Sequence, residues 1–152
     1  MSESIRQIKV NNHLLMQEIT ALFNAGRESV TFTVRGYSMR PFLEHERDKV
    51  ILVPPRTPRT GDVVLAEVSK ERYALHRVIE ADGKRYIMRG DGNPLKMKEV
   101  FTEENIIGVA KAFIRKGKRV STESLQWKAY STAWEILKPF RRVLLAIYRR
   151  IK

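Results

Sequence analysis

The 152 residues, 43% apolar and 30% charged with only 8 Gly and 6 Pro, have the length of about one domain and the composition of a folded globule rather than a low-complexity or disordered chain. Zero cysteines exclude a disulfide scaffold, a thiol nucleophile and a zinc site built on thiolates. The net charge of +12 is unevenly spread: residues 1–110 hold 17 basic and 15 acidic side chains, whereas residues 111–152 hold 12 and 2. A basic block of this kind faces polyanions, meaning nucleic acid or anionic lipid headgroups, or is simply a solvated face. Met1–Val10 is polar, without the apolar stretch of a secretory signal. The longest unbroken apolar run, Val143–Tyr148, is far shorter than the roughly 20 residues that span a bilayer. A cytoplasmic chain is expected.

Residues 12–25 have a helical period, with Leu15, Ile19, Leu22 and Phe23 on one face and Asn24 and Gly26 as stop signals. From Glu28 the period becomes two: Val30, Phe32 and Val34 alternate with Thr31, Thr33 and Arg35, a half-buried strand ending at Gly36. Further strands are expected at Lys49–Val53, stopped by Pro54-Pro55, and at Asp62–Val68 after the Thr60-Gly61 turn. Tyr73–Glu80 should pair with Arg85–Arg89 across Asp82-Gly83, a dipeptide that accepts the positive φ of tight hairpins. Ile106–Ile114 should return through Lys116-Gly117-Lys118. Beyond Ser121 the helical period resumes. Trp127, Tyr130, Trp134 and Leu137 form one stripe, Pro139 interrupts it, and Phe140, Val143, Leu144, Ile147 and Ile151 form a second, with most of the arginines opposite. The expected fold is mainly β: an antiparallel core of about seven strands () in residues 1–120, with an N-terminal helix, followed by a basic helical segment in residues 121–152.

Chemistry concentrates around Val34–Leu43. Ser38 follows the strand-terminating Gly36, with Pro41 stiffening the chain beyond it, so its hydroxyl sits at a turn and can face a groove. A turn serine by itself more often satisfies nearby backbone groups. His76 lies on the Tyr73–Glu80 strand between Ala74 and Val78, facing opposite to Leu75 and Arg77, and by itself reads as a core histidine. His13 and His45 stand in polar contexts without carboxylates at ligand spacing, so surface positions and no metal site are expected.

Taken together, Gly36-Tyr37-Ser38-Met39-Arg40-Pro41, Gly61-Asp62-Val63-Val64, His76-Arg77-Val78-Ile79 and Arg89-Gly90-Asp91-Gly92-Asn93 resemble, in order and spacing over residues 30–110, the superfamily that joins signal peptidases to LexA-type self-cleaving repressors. The resemblance implies a β-clip-like serine endopeptidase with Ser38 as nucleophile and His76 as general base, in the position where many members carry lysine. A histidine there is similar to the eukaryotic, archaeal and sporulating-bacterial signal peptidases. Histidine, with a reference pKa near about 6.5, is largely unprotonated at neutral pH and needs only positioning, and the resemblance assigns that task to Asp91. Gly36 stands where a hydroxyl residue often precedes the nucleophile, so the Ser38 backbone N–H is left as oxyanion donor. Gly36 and Met39 are the residues implied to line the substrate site, with small residues before the cleaved bond. The expected partner is a peptide or protein substrate, with no cofactor.

Two further readings accompany this one. Ala25-Gly26 resembles the Ala-Gly bond that LexA-type proteins cut, although 12 residues to Ser38 is a short reach for self-cleavage. The other reading is a non-enzymatic module of the same fold that binds through its basic tail. With Trp127, Trp134, Arg141, Arg142, Arg149 and Arg150 as contacts, that tail matches a helix lying on the inner face of an anionic membrane or one packed on the β core. Nucleic acid is disfavoured, since no helix-turn-helix fits in the near-neutral residues before the first strand.

Overall fold

The structure, a computed structural model, describes residues 12–151. Helix α1 (Asn12–Asn24) buries Met16 and Ile19 against the sheet and stops at Gly26. There φ is +95°, and the N–H groups of Gly26 and Arg27 donate to the carbonyls of Phe23 and Leu22, closing the last helical turn as a glycine C-cap does. Ala25-Gly26 is therefore a helix cap.

Eight strands follow: β1 (Val30–Thr33), β2 (Lys49–Val53), β3 (Val63–Ser69), β4 (Arg72–Asp82), β5 (Arg85–Arg89), β6 (Glu99–Thr102), β7 (Ile106–Arg115) and β8 (Lys118–Ser121). Every ladder is antiparallel, and the order is β1-β2-β7-β3-β4-β5-β6 with β8 on β7. The long β7 runs through the middle, its first half beside β3 and its second beside β8. Apolar residues on one side of the sheet, including Leu52, Val63, Leu65 and Phe113, join α1 in the larger cluster. Val64, Val78, Tyr86, Met88 and Phe101 form a second. Each such fully buried side chain contributes roughly 1.5–3 kcal/mol.

The mainly antiparallel β architecture with helices at both ends is the one the periodicity predicts. β6 is an addition: four residues long, with Val100 exposed and Phe101 buried, it carries too little alternation to stand out. It continues the β4-β5 hairpin into a three-stranded meander.

At the C-terminus, Ser124 caps helix α2 (Leu125–Ile136) by accepting from the Trp127 N–H. Pro139 falls in a 3₁₀ turn (Lys138–Phe140) that leads into α3 (Arg141–Ile151). Trp127 enters the larger core cluster, meeting the rings of Phe42 and Phe113 at centroid distances of 5.0 and 4.6 Å. Residues on both sides of position 120 thus share one core. The second apolar stripe, for which the sequence left both a packed and an interfacial placement open, turns outward. Arg141, Leu145 and Tyr148 face the protein, while Phe140, Val143, Ile147 and Ile151 face outward. Among the described residues no helix is long and apolar enough to cross a membrane.

Candidate active site

Beyond β1 the chain folds over itself: the Val34 N–H donates to the Asp48 carbonyl and the Glu46 N–H returns to Val34. Gly36, at φ +88°, takes a conformation that costs other residues strain, and it delivers the half-buried Ser38 to the start of a turn that buries Met39, Phe42 and Leu43. The turn is braced from outside. The Gly36 N–H donates to His45 Nδ1 at 2.7 Å, the Tyr37 ring lies 5.0 Å from the His45 ring, and the Arg40 guanidinium sits over Tyr37 at 4.4 Å. His45 is thus not the surface residue its acidic neighbours suggest; its side chain is only 16% exposed. Beneath the loop, buried Asp48 accepts from the Glu44 and Lys116 N–H groups and from Arg47. Burial opposes the charge on Asp48, but these donors outweigh it and hold the carboxyl below the usual carboxylate range.

The turn Gly90–Asn93, after β5, closes on Ser38 from the other side. The Gly92 N–H donates to the Ser38 carbonyl at 2.8 Å, and the Asp91 N–H reaches Met39 Sδ at 3.5 Å. Neither Gly90 nor Gly92 has room for a side chain. A Cβ on Gly90 would lie 2.4 Å from the Ser38 carbonyl oxygen and 3.0 Å from His76 Cδ2; one on Gly92 would lie 2.7 Å from the Tyr37 carbonyl. The Ser38 backbone and the His76 ring therefore converge on one point beside Gly90. The ring edge turned toward it is the Cδ2 edge, which adjoins Nε2.

The opposite ring nitrogen is held elsewhere. His76 Nδ1 lies 2.7 Å from Glu99 Oε1. A carboxylate accepts, so Nδ1 carries the hydrogen and the lone pair is left on Nε2. Glu99 opens β6, opposite Met88 of β5, which in turn faces Val78 of β4. The meander thereby brings Glu99 beside His76. Ser38, His76, Asn93 and Glu99 line one cleft of about 320 Å³, whose apolar lining includes Leu15, Phe32, Leu65 and Leu75. Met39 also borders it, although its side chain is almost wholly buried in the core. Among the described residues no hydrogen bond joins the Ser38 hydroxyl to the imidazole; such contacts commonly tighten only when substrate binds.

Asp91 is not the partner of His76. Its carboxylate receives two parallel bonds from Arg77, Nε to Oδ1 at 2.9 Å and a terminal nitrogen to Oδ2 at 2.8 Å, and a third from the Tyr130 hydroxyl at 2.7 Å. Its backbone carbonyl accepts from Trp134 Nε1 at 3.0 Å. Strand alternation explains the difference: Arg77 and His76 are neighbours on β4 and point to opposite faces, so a carboxylate bound to Arg77 faces away from the imidazole. Burial works against the Arg77 charge, but the Asp91 bond and charge more than offset it and raise its pKa; burial together with Asp91 pushes the Tyr130 phenol well above its usual range.

The expected lipid contacts divide. Trp127 and Trp134 are 5% and 6% exposed, the first packed among aromatic rings and under the Arg77 guanidinium at 4.7 Å. Arg141 is buried over the Trp134 ring at 5.1 Å. These three face the protein interior: Trp134 Nε1 donates to the Asp91 carbonyl, an Arg141 terminal nitrogen donates to the Trp134 carbonyl, and Trp127 packs among the rings. Arg142, Arg149 and Arg150 remain on the surface. Among the described residues no group of three or more His, Asp or Glu side chains could hold a metal ion. No family model matches the chain, and no curated protein matches it.

Proposed function

We propose that the chain is a serine-type endopeptidase, in which Ser38 attacks a peptide carbonyl, His76 is the general base and Glu99 orients the imidazole. The observation that carries this reading is the shared cleft: Ser38 and His76 border it, and a carboxylate holds Nδ1 at 2.7 Å so that Nε2 is left to take a proton. The four sequence boxes that resemble signal peptidases and LexA-type proteins support it independently. In the reaction the Ser38 Oγ bonds to the carbonyl carbon while its proton moves to Nε2. The oxyanion is met by the Ser38 backbone N–H, which no other group among the described residues engages. Nε2–H then protonates the departing amine. Water, deprotonated by the same nitrogen, displaces the acyl group as a carboxylic acid and restores the serine hydroxyl.

The competing reading, a binding module without catalysis, draws on the absence of a direct hydroxyl–imidazole hydrogen bond. A fluorophosphonate probe separates the two. Labelling of Ser38, located by peptide mass spectrometry, is expected in the wild-type chain, with none in Ser38→Ala and at least a hundredfold slower labelling in His76→Ala. A folded wild-type chain that takes up no probe overturns the peptidase.

A further inference from the structure

Helix α3 touches the protein along one side only. Leu145 and Arg141 are buried, and the Tyr148 hydroxyl donates to Glu44. On the side turned away, Phe140, Val143, Ile147 and Ile151 are 60%, 60%, 52% and 79% exposed. At about 100° per residue Val143, Ile147 and Ile151 fall within an arc of roughly 80°, and Phe140 of the preceding 3₁₀ turn extends the ridge to about 16 Å. Monomeric surfaces scatter such side chains singly, and an aligned row marks a surface that meets another apolar phase.

The charges of the same helix identify that phase: at about 100° per residue Arg150 flanks the ridge, while Arg142 and Arg149 fall roughly 140–160° from its centre, on the polar side. Arg142, Arg149 and Arg150 are exposed, and none of them belongs to the ion pairs of the described residues. The helix itself, Arg-Arg-Val-Leu-Leu-Ala-Ile-Tyr-Arg-Arg-Ile, contains no acidic residue. An apolar arc on one face and unpaired guanidinium groups off that arc are the pattern of a helix that lies in the headgroup region of an anionic bilayer. A second copy of this surface would instead set the same arginines against one another across a twofold axis.

We propose that the outer face of α3 docks on anionic lipid membranes, with Phe140, Val143, Ile147 and Ile151 entering the interface and Arg142, Arg149 and Arg150 meeting lipid phosphates. The helix is also connected to the cleft. Tyr148 bonds Glu44, which pairs with Arg40, two residues beyond Ser38, and the Arg40 guanidinium lies over the Tyr148 ring at 5.4 Å.

The test needs no catalysis and uses the Ser38→Ala chain, so that failure of the peptidase reading leaves it intact. Co-sedimentation with vesicles of one third phosphatidylserine in phosphatidylcholine is expected at low salt, with binding at least tenfold weaker to pure phosphatidylcholine. Ile147→Glu and, separately, Arg149→Gln with Arg150→Gln should each weaken binding at least tenfold, with unchanged circular dichroism and thermal midpoint. Absence of binding to the anionic vesicles overturns the proposal. So does full binding by Ile147→Glu, which would reveal purely electrostatic adsorption, or a lipid-free dimer that Ile147→Glu dissociates, which would reveal a second copy on this face.

Discussion

Glu99 and Asp91 are both carboxylates beside β4, and the alternation of that strand gives them different partners, His76 and Arg77. Glu99→Gln keeps the shape of the side chain but can present an N–H to Nδ1, favouring the wrong tautomer. We expect fluorophosphonate labelling to slow by roughly 10³-fold or more, by analogy with other orienting carboxylates. The thermal midpoint should barely move, since the Glu99 side chain is partly exposed. Asp91→Asn should do the converse, leaving the buried Arg77 guanidinium without its counter-charge at a cost of about 3–5 kcal/mol, a fall in melting temperature of roughly 10 °C measurable by calorimetry. Turn chemistry and the sequence boxes coincide on Ser38 and His76, and both side chains border the same cleft. Asp91 misleads because its box places it beside the site, while the direction of its side chain is decided by Arg77 and by Tyr130, 39 residues further on. Glu99 is concealed in a strand with a single fully buried residue. His45 misleads for a related reason: between Glu44 and Glu46 it reads as surface, but burial of Glu44 turns that segment inward.

The unit of the site, one level up, is a pair of turns rather than a set of side chains. Residues 36–43 and 90–93 approach so closely that Gly90→Ala must move the Ser38 backbone, because the obstructing atom is a carbonyl oxygen and not a flexible side chain. We expect that variant to fold but to lose most of its probe reactivity, a result read by labelling rate against calorimetry. Asp48 fastens the first turn to the β7-β8 hairpin. Its folded-state pKa lies below the unfolded value, so its stabilisation is present above roughly pH 4 and is lost as pH falls through the folded value. Asp48→Asn should therefore cost about 2–3 kcal/mol near neutrality and flatten the acid side of a stability-against-pH profile. Most elements were legible: the two-residue period located β2 with its ends, and Pro139 located the break between α2 and α3. The outward face of α3 was not, because periodicity reveals that a stripe exists without saying which phase it meets.

Across the whole molecule, the C-terminal quarter is part of the fold and not an appendage. Trp127, Tyr130 and Trp134 contribute aromatic packing and bonds to Asp91 worth several kcal/mol, comparable to the entire margin of about 5–15 kcal/mol that keeps a domain folded. A chain stopped after Ser121 is expected to show no cooperative melting transition; a sharp transition near that of the full chain would mean that residues 1–120 fold independently. The sequence showed that the positive charge collects at this end, but only packing divides it, drawing Arg141 inward and leaving Arg142, Arg149 and Arg150 outside. The Asp91 anchorage also orders events in time. Both groups of α2 that hold the 90–93 turn are translated about forty residues later, so a ribosome-tethered intermediate displays Ser38 and His76 before their surroundings are assembled. The site proposed for hydrolysis is thus complete only once synthesis has passed Trp134.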